Sequence, residues 1–273
     1  MKTLVLGATG KTGRKVAKRL QQLDADIRIG SRTASLPFDW ENNATWPAAL
    51  EGIEAVYITF QPDLGIPGAS TIIEDFCKAA LQAGVKKLVL LSGRGEEEAQ
   101  ASEQVVMRSG LEWTIVRASW FSQNFSESFI LDSVLAGHGV LPVGEVLEPF
   151  IDTDDIADVA VAALTEDGHA GKVYEVTGPR LLTFLQAVKE ISDEIGREIT
   201  FHEVTVDEYA AILAEYQVPD GFIELLKYLF SEVLDGRNAY LSHGVEEALG
   251  RKPKDFSAYV KETAASGAWD NAD

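Results

Sequence analysis

The 273-residue chain carries one cysteine, two methionines and four histidines. A single thiol, Cys77, excludes an internal disulfide framework and a multi-cysteine metal site. It lies in the apolar-periodic stretch Ile72, Ile73, Phe76, Cys77, Ala80, which marks a packed helix position rather than a reactive thiol. His138, His169, His202 and His243 share no i, i+4 ligand spacing, so no metal site is expected and each reads as a surface histidine. Long apolar runs are missing as well: none reaches the ~18–20 residues that span a bilayer. No charged n-region, apolar h-region and small-residue cleavage site precede the first strand. A cytoplasmic protein with no membrane partner is expected. Cations are short too, with 24 Lys and Arg against 43 Asp and Glu and a formal net charge of −19. Such a field repels nucleic-acid phosphates, so direct nucleic-acid binding is not expected. An anionic ligand must instead be held by local backbone donors and one or two placed cations.

What is present is a regular alternation. The run Lys2-Thr3-Leu4-Val5-Leu6-Gly7 reads as a buried parallel strand, and Val16, Ala17, Leu20 and Leu23 follow at helical spacing. Further strands are predicted at Ile27–Gly30, Ala55–Phe60, Lys87–Ser92 and Trp113–Arg117, with helices over about 70–83 (stopped by Gly84) and 97–108. After Asn124 a helix to Leu135, a turn at Gly137–Gly139, a helix from Asp152 or Thr153 and a late strand Lys172–Val176 are predicted. Beyond Gly178 the chain reads as mostly helical and aromatic-rich, with a short strand near Glu198–Glu203 and frayed residues from about Ser266. The fold class expected is α/β, a Rossmann-type doubly wound parallel sheet with a smaller, mainly helical C-terminal lobe. The domains expected are 1–180 for dinucleotide binding and 181–273 for the substrate-side lobe, the latter with contributions from about 125–150.

The strongest signal is Gly7-Ala8-Thr9-Gly10-Lys11-Thr12-Gly13, directly after the first strand and opening a helix. Gly7 makes the tight turn, Gly10 lets backbone approach a phosphate, and Gly13 lets the helix sit close to the sheet. The helix mouth then offers free N–H groups and its positive dipole end to a pyrophosphate. The second strand ends in Gly30-Ser31-Arg32-Thr33, without the acidic residue that NAD-selective proteins place there. Arg32 can pair with a 2′-phosphate and Ser31 can add a hydrogen bond, which favours NADP(H) over NAD, though NAD remains possible. Asp39-Trp40 is expected to flank the adenine. Thr59, Phe60 and Gln61 should pass beside the diphosphate and ribose, and Ser92 and Gly93 should end near the nicotinamide ribose. Ser92 either bonds ribose or substrate or stabilises its turn.

Gly7–Gly13 together with Gly84–Val89, Ser109–Thr114 and Arg117-Ala118-Ser119-Trp120-Phe121-Ser122-Gln123-Asn124 resembles the NmrA-like atypical short-chain dehydrogenases. Asp154–Ala157 and Gly171–Glu175 also match, so the likeness covers nearly the whole chain. Within that family the NAD(P)H quinone and triphenylmethane reductases share segments like Val218–Gly221. The festuclavine and agroclavine dehydrogenases share patterns like Gly10–Thr12, Phe38–Trp40, Ala55–Tyr57 and Trp120-Phe121. The resemblance implies that Ala118 and Ser119 pack near the nicotinamide amide. Trp120 and Phe121 then wall an aromatic substrate or form inter-lobe core. Asn124 orients its loop, and Asp155 braces a helix start. Arg94 either meets an anionic group of substrate or cofactor or is a solvated loop residue beside Glu96–Glu98.

No general acid is visible. Ordinary short-chain dehydrogenases use Tyr-x-x-x-Lys, and none of the seven tyrosines here has a lysine four residues on. Some relatives carry a Lys or His where this chain has Glu96–Val105, which holds no basic residue. Catalytic residues are therefore unassigned, and two readings stay open. One is a monomeric or homodimeric NAD(P)H-dependent reductase of a small acceptor (quinone, imine, iminium or dye). The other is a non-catalytic redox sensor of the NmrA type acting through a protein partner.

Overall fold

The computed structural model describes residues 1–270. Strands are β1 Thr3–Leu6, β2 Ile27–Gly30, β3 Ala55–Ile58, β4 Lys87–Gly93, β5 Glu112–Ala118, β6 His138–Leu141, β7 Leu147–Glu148, β8 Lys172–Val176, β9 Leu182–Thr183 and β10 Thr200–Glu203. The α-helices are α1 Gly13–Gln22, α2 Trp46–Leu50, α3 Ala69–Gln82, α4 Glu97–Met107, α5 Asn124–Glu127, α6 Leu131–Ala136, α7 Thr153–Thr165, α8 Phe184–Ile195, α9 Val206–Glu215, α10 Asp220–Tyr228, α11 Gly244–Leu249 and α12 Phe256–Ala265. The chain divides into two units: residues 1–118, 153–176 and 243–252 form the first, and 119–152, 177–242 and the described residues from 253 onward the second.

The first unit is built on a six-stranded parallel sheet in the order β2-β1-β3-β4-β5-β8. Strands β1, β3 and β4 are apolar on both faces because helices cover both. Leu4, Leu6, Val56, Ile58, Leu88 and Leu90 pack with Ile73 and Phe76 of α3 and Ala99 and Val106 of α4 in one buried cluster. Burying each such side chain contributes about 1.5–3 kcal/mol. The alternate residues Val5, Tyr57 and Val89 point to the other face, where α1 and α7 lie together. Lys15 and Arg19 of α1 tie to Asp154 and Asp158 of α7. The chain returns late to this unit: a Cβ on Gly244 would stand 2.2 Å from the Glu175 carbonyl oxygen, so α11 lies directly on β8. Arg251 then reaches Asp155 and Asp158. Strand order reverses between β1 and β3, and ligands of such sheets bind at the carboxyl ends beside that reversal.

The second unit pairs β6 with β10 in parallel and β7 with β9 antiparallel. Its core is aromatic, with Phe125, Phe150, Phe184, Phe230, Phe256 and Tyr259 all buried. α8 and α9 both start with reciprocal capping boxes, Thr183 with Gln186 and Thr205 with Glu208, which satisfy otherwise orphaned N–H groups.

Several expectations are corrected here. The helix after Asn124 is broken into α5 and α6, and of the turn expected at Gly137–Gly139 only Gly137 serves as one, capping α6, while β6 begins at His138. His169 is not a surface residue: it is buried and its Nδ1 pairs with the Tyr174 hydroxyl at 2.9 Å. The tail is not frayed from Ser266, because Trp269 is 2% exposed and its indole N–H donates to the Phe125 carbonyl at 3.0 Å. Residues 271–273, part of that expectation, lie outside the described residues. Cys77 is buried, and desolvation pushes its thiol up to about 12. No helix among the described residues is long and apolar enough to cross a membrane.

Candidate active site

The glycine turn after β1 is shaped by two close approaches. Gly7 has φ +62°, and a Cβ there would stand 2.1 Å from Thr59 Oγ1. A Cβ on Gly13 would stand 2.2 Å from the Gly7 carbonyl oxygen. Only residues without side chains allow the turn and the start of α1 to share this space. The Gly10 amide donates to the Gly7 carbonyl at 2.8 Å, which closes the turn. The first turn of α1 holds no acidic residue, although the chain is strongly anionic. Backbone donors and a positive dipole end are thus left for an anion. Thr9 is exposed, Gly10 and Lys11 are half-buried, and Thr12 is buried at the helix mouth. This cradle, which a Cβ would fill, fits a dinucleotide pyrophosphate.

Past β2, Ser31 is half-buried and Arg32 exposed. The adenine expectation for Trp40 is corrected: its ring is buried among Phe38, Trp46, Phe60 and Phe76. Its indole N–H donates to the Thr59 carbonyl at 3.1 Å. The ring of Phe60 belongs to the same cluster, so only its backbone is left for the sheet edge. Thr59 Oγ1 donates to the Leu6 carbonyl at 3.2 Å, tying the end of β3 to β1 beside Gly7. Gln61 is exposed.

The end of β4 is where sequence reasoning saw least. Ser92 is buried and donates to Glu103 Oε1 at 2.6 Å. Glu103, on α4 and fully buried, also accepts from Arg117 Nε at 2.9 Å and from Arg117 Nη2. Arg117 continues to Glu175 at 3.5 Å. Glu175 accepts in turn from Arg94 Nε at 3.1 Å. Arg94 is therefore not a solvated loop residue: only 3% of it is exposed. Between these groups Gly93 leaves a notch filled by the Glu96 carboxyl, whose Oε1 stands 1.9 Å from where a Cβ would be. Asp63, in the loop after β3, has its carboxyl beside that of Glu96. It also accepts from the Gly65 amide at 2.7 Å. Burial, followed by the neighbouring Asp63 and Glu103 charges, holds the Glu96 carboxyl well above the usual range, and burial raises Asp63 too. Glu96, Asp63, Glu103 and Glu175 were absent from the sequence candidates. One usable signal existed, since Glu103 shares the helical stripe of Ala99 and Val106, where an acid must be paired.

Ala118 ends β5, and its carbonyl accepts from the Arg94 amide at 3.1 Å. In the second unit, the Ser119 hydroxyl donates to the Pro149 carbonyl at 2.6 Å and the Trp120 amide to Glu148 at 3.2 Å. Phe121 bridges to Ile151. The Trp120 ring meets Phe184 and Phe230 with centroids 5.4 and 5.5 Å apart. Asn124 opens α5, its amide donating to the Phe121 carbonyl at 3.0 Å. Asp155 is buried on α7 and accepts from Arg251 at 2.6 Å. Among the described residues no group of three His, Cys, Asp or Glu is placed to hold a metal.

Comparison with known proteins agrees with this geometry. The chain is 30% identical to Prestalk A differentiation protein A of Dictyostelium discoideum, over 96% of this chain and 92% of that protein. It is 28% identical to the NAD(P)H azoreductase of Xenophilus azovorans, over 96% and 98% of the two chains. The fold superimposes with a TM-score of 0.81 on the NADPH-dependent quinone oxidoreductase of Escherichia coli, solved with NADPH, covering 97% of this chain and 100% of that one at 23% identity. The model of an NAD(P)H-binding family matches residues 7–167, from the first glycine of the turn to the end of α7. The fold also superimposes on Nmra, a negative transcriptional regulator solved with NAD, with a TM-score of 0.70 at 17% identity, and the chain belongs to the NAD(P)H-binding family.

Proposed function

We propose that the protein is an NAD(P)H-dependent reductase, preferring NADPH, that passes hydride to a small aromatic or cationic acceptor such as a quinone, an imine or iminium, or a dye. The observation that carries this reading is the glycine cradle at Gly7, Gly10 and Gly13, a pyrophosphate site at the carboxyl edge of the sheet. Arg32, exposed just past β2, supplies the cation for a 2′-phosphate. A bound reduced nicotinamide would supply the hydride, and the protein's part is then positioning and exclusion of water. The named activities of the azoreductase and quinone oxidoreductase relatives support acceptors of this class. No tyrosine stands four residues before a lysine, so the ordinary short-chain dehydrogenase acid is not available. The candidates for contact with the acceptor are Gly93 and Arg94 in the first unit and Trp120, Phe121 and Asn124 in the second.

The test is direct. Purified protein is mixed with NADPH and with a panel of quinones, cyclic imines and cationic triphenylmethane dyes, and loss of reduced-nicotinamide absorbance is followed. Turnover of at least one class is expected. Tight NADPH binding with no oxidation by any class would replace the reductase with the redox-sensor reading.

A further inference from the structure

We infer that Asp63 and Glu96 hold one proton between them at the carboxyl end of β4, and that Glu96 delivers it to acceptors that need protonation on reduction. This rests on the reductase reading above and supplies the acid that reading lacks.

The geometry carries the argument. Glu96 is 8% exposed, and its Oε2 is buried with no N–H or O–H donor facing it. An ionised carboxylate so placed has lost its water and gained nothing in return, which costs several kcal/mol. The neighbour it does have is the Asp63 carboxyl. Two carboxylates are acceptors only, so they hydrogen-bond when one of them carries a proton. The remaining charged groups reinforce this. Glu103, from α4, adds negative charge. Arg117 is paired with Glu103 and Glu175, and Arg94 with Glu175. Glu98, in the first turn of α4, accepts from Ser70 and the Gly68 amide.

The position matters as much as the proton. Glu96 lies in the notch over Gly93, with its Oε1 where a Cβ would be. Both acids sit past the carboxyl ends of neighbouring strands, Asp63 beyond β3 and Glu96 beyond β4, on the edge that carries the glycine cradle beyond β1. Asp63 is half-buried, while Glu96 is sealed from solvent, so Asp63 is the route by which water returns a proton to the pair.

The step balances. Reducing a quinone with a reduced nicotinamide consumes one hydride and one proton. The hydride, with its electron pair, adds to the quinone, which is reduced as the nicotinamide is oxidised. The Glu96 O–H bond breaks, its pair stays on the Glu96 carboxylate, and the proton forms an O–H bond on the quinone oxygen. The hydride and that one proton together complete the hydroquinone, and a proton from water, entering through Asp63, restores the pair. Reduction of a triphenylmethane cation needs the hydride alone, and there the Glu96 proton is idle.

The experiment compares wild type, Glu96→Gln, Asp63→Asn and, as control, the exposed Glu97→Gln. Infrared spectra near neutral pH should show a protonated-carboxyl band in wild type that Glu96→Gln removes and Glu97→Gln keeps. NADPH dissociation constants should agree within about twofold, which also shows that the variants fold. Single-turnover quinone reduction should slow by on the order of a hundredfold in Glu96→Gln, with the cationic dye rate unchanged. Asp63→Asn should slow repeated turnover of quinone more than the first turnover. Absence of the band, or equal slowing with quinone and dye, would overturn the inference while leaving the reductase standing. A wild type that binds NADPH and reduces neither acceptor would sink the reductase reading, and the delivery step with it.

Discussion

Ser92 Oγ lies 2.6 Å from Glu103 Oε1, so the last serine of β4 spends its proton on a fully buried carboxylate. That carboxylate is also gripped by Arg117, and the chain of charge runs on through Glu175 to Arg94. The serine is therefore part of the frame beneath the sheet edge. Glu103→Ala would strand Arg117 beside a void, and breaking a buried pair by removing one partner costs about 3–5 kcal/mol. Denaturant unfolding of Glu103→Ala should show a loss of that size. Ser92→Ala should lose only about 1–3 kcal/mol.

The glycine turn gives a second expectation. Alanine at position 13 would force a methyl within 2.2 Å of the Gly7 carbonyl oxygen, which is backbone and cannot rotate aside. The start of α1 must then retreat from the turn. Overpacking of this kind costs about 1–3 kcal/mol. Calorimetric titration of Gly13→Ala with NADPH should show at least tenfold weaker binding. Gly52→Ala is the control for positive φ alone, because nothing lies within 4 Å of a Cβ there. It should leave binding untouched.

Arg32 separates the two cofactors. It is exposed, so its removal should leave stability unchanged within about 0.5 kcal/mol. A charge-assisted hydrogen bond contributes about 1.5–3 kcal/mol, and Arg32→Ala should weaken NADPH by roughly tenfold to a hundredfold while leaving NADH within about twofold. Equal weakening of both cofactors would remove Arg32 from the 2′-phosphate.

The pattern of what was legible follows from the range of the forces involved. Strands β1, β3 and β4 announce themselves because both faces are buried and their central positions form unbroken apolar runs, a purely local signal. The glycine spacing was readable because the turn and helix mouth are contiguous in the chain. Glu96 was not, since it stands in the run Glu96-Glu97-Glu98, where only the middle residue is exposed. Its burial depends on Gly93 and on Asp63, more than thirty residues away. Trp40, expected with Asp39 to flank the adenine, was misread for the same reason: Phe60 and Phe76, distant in the chain, join Phe38 and Trp46 to make it core. The return of residues 243–252 to the first unit has no periodic signature, because it is held by one glycine against β8 and by Arg251 on α7.

Stability should also report the acidic pair through pH. The folded-state pKa of Glu96 is raised above its ordinary 4.5, so the folded chain keeps a proton that the unfolded chain has already released. Asp63 shifts in the same direction from 3.8. With more protons bound when folded, unfolding free energy falls as pH rises. This contribution is fully present below the unfolded pKa values and is lost as pH climbs through the raised ones. Glu96→Gln keeps the shape and the hydrogen bond while removing the titration. Its unfolding free energy should match wild type near pH 4 and exceed it increasingly toward alkaline pH, measured by urea titration at intervals of one pH unit. A wild-type curve parallel to that of Glu96→Gln throughout would mean that Glu96 is already ionised in the folded protein.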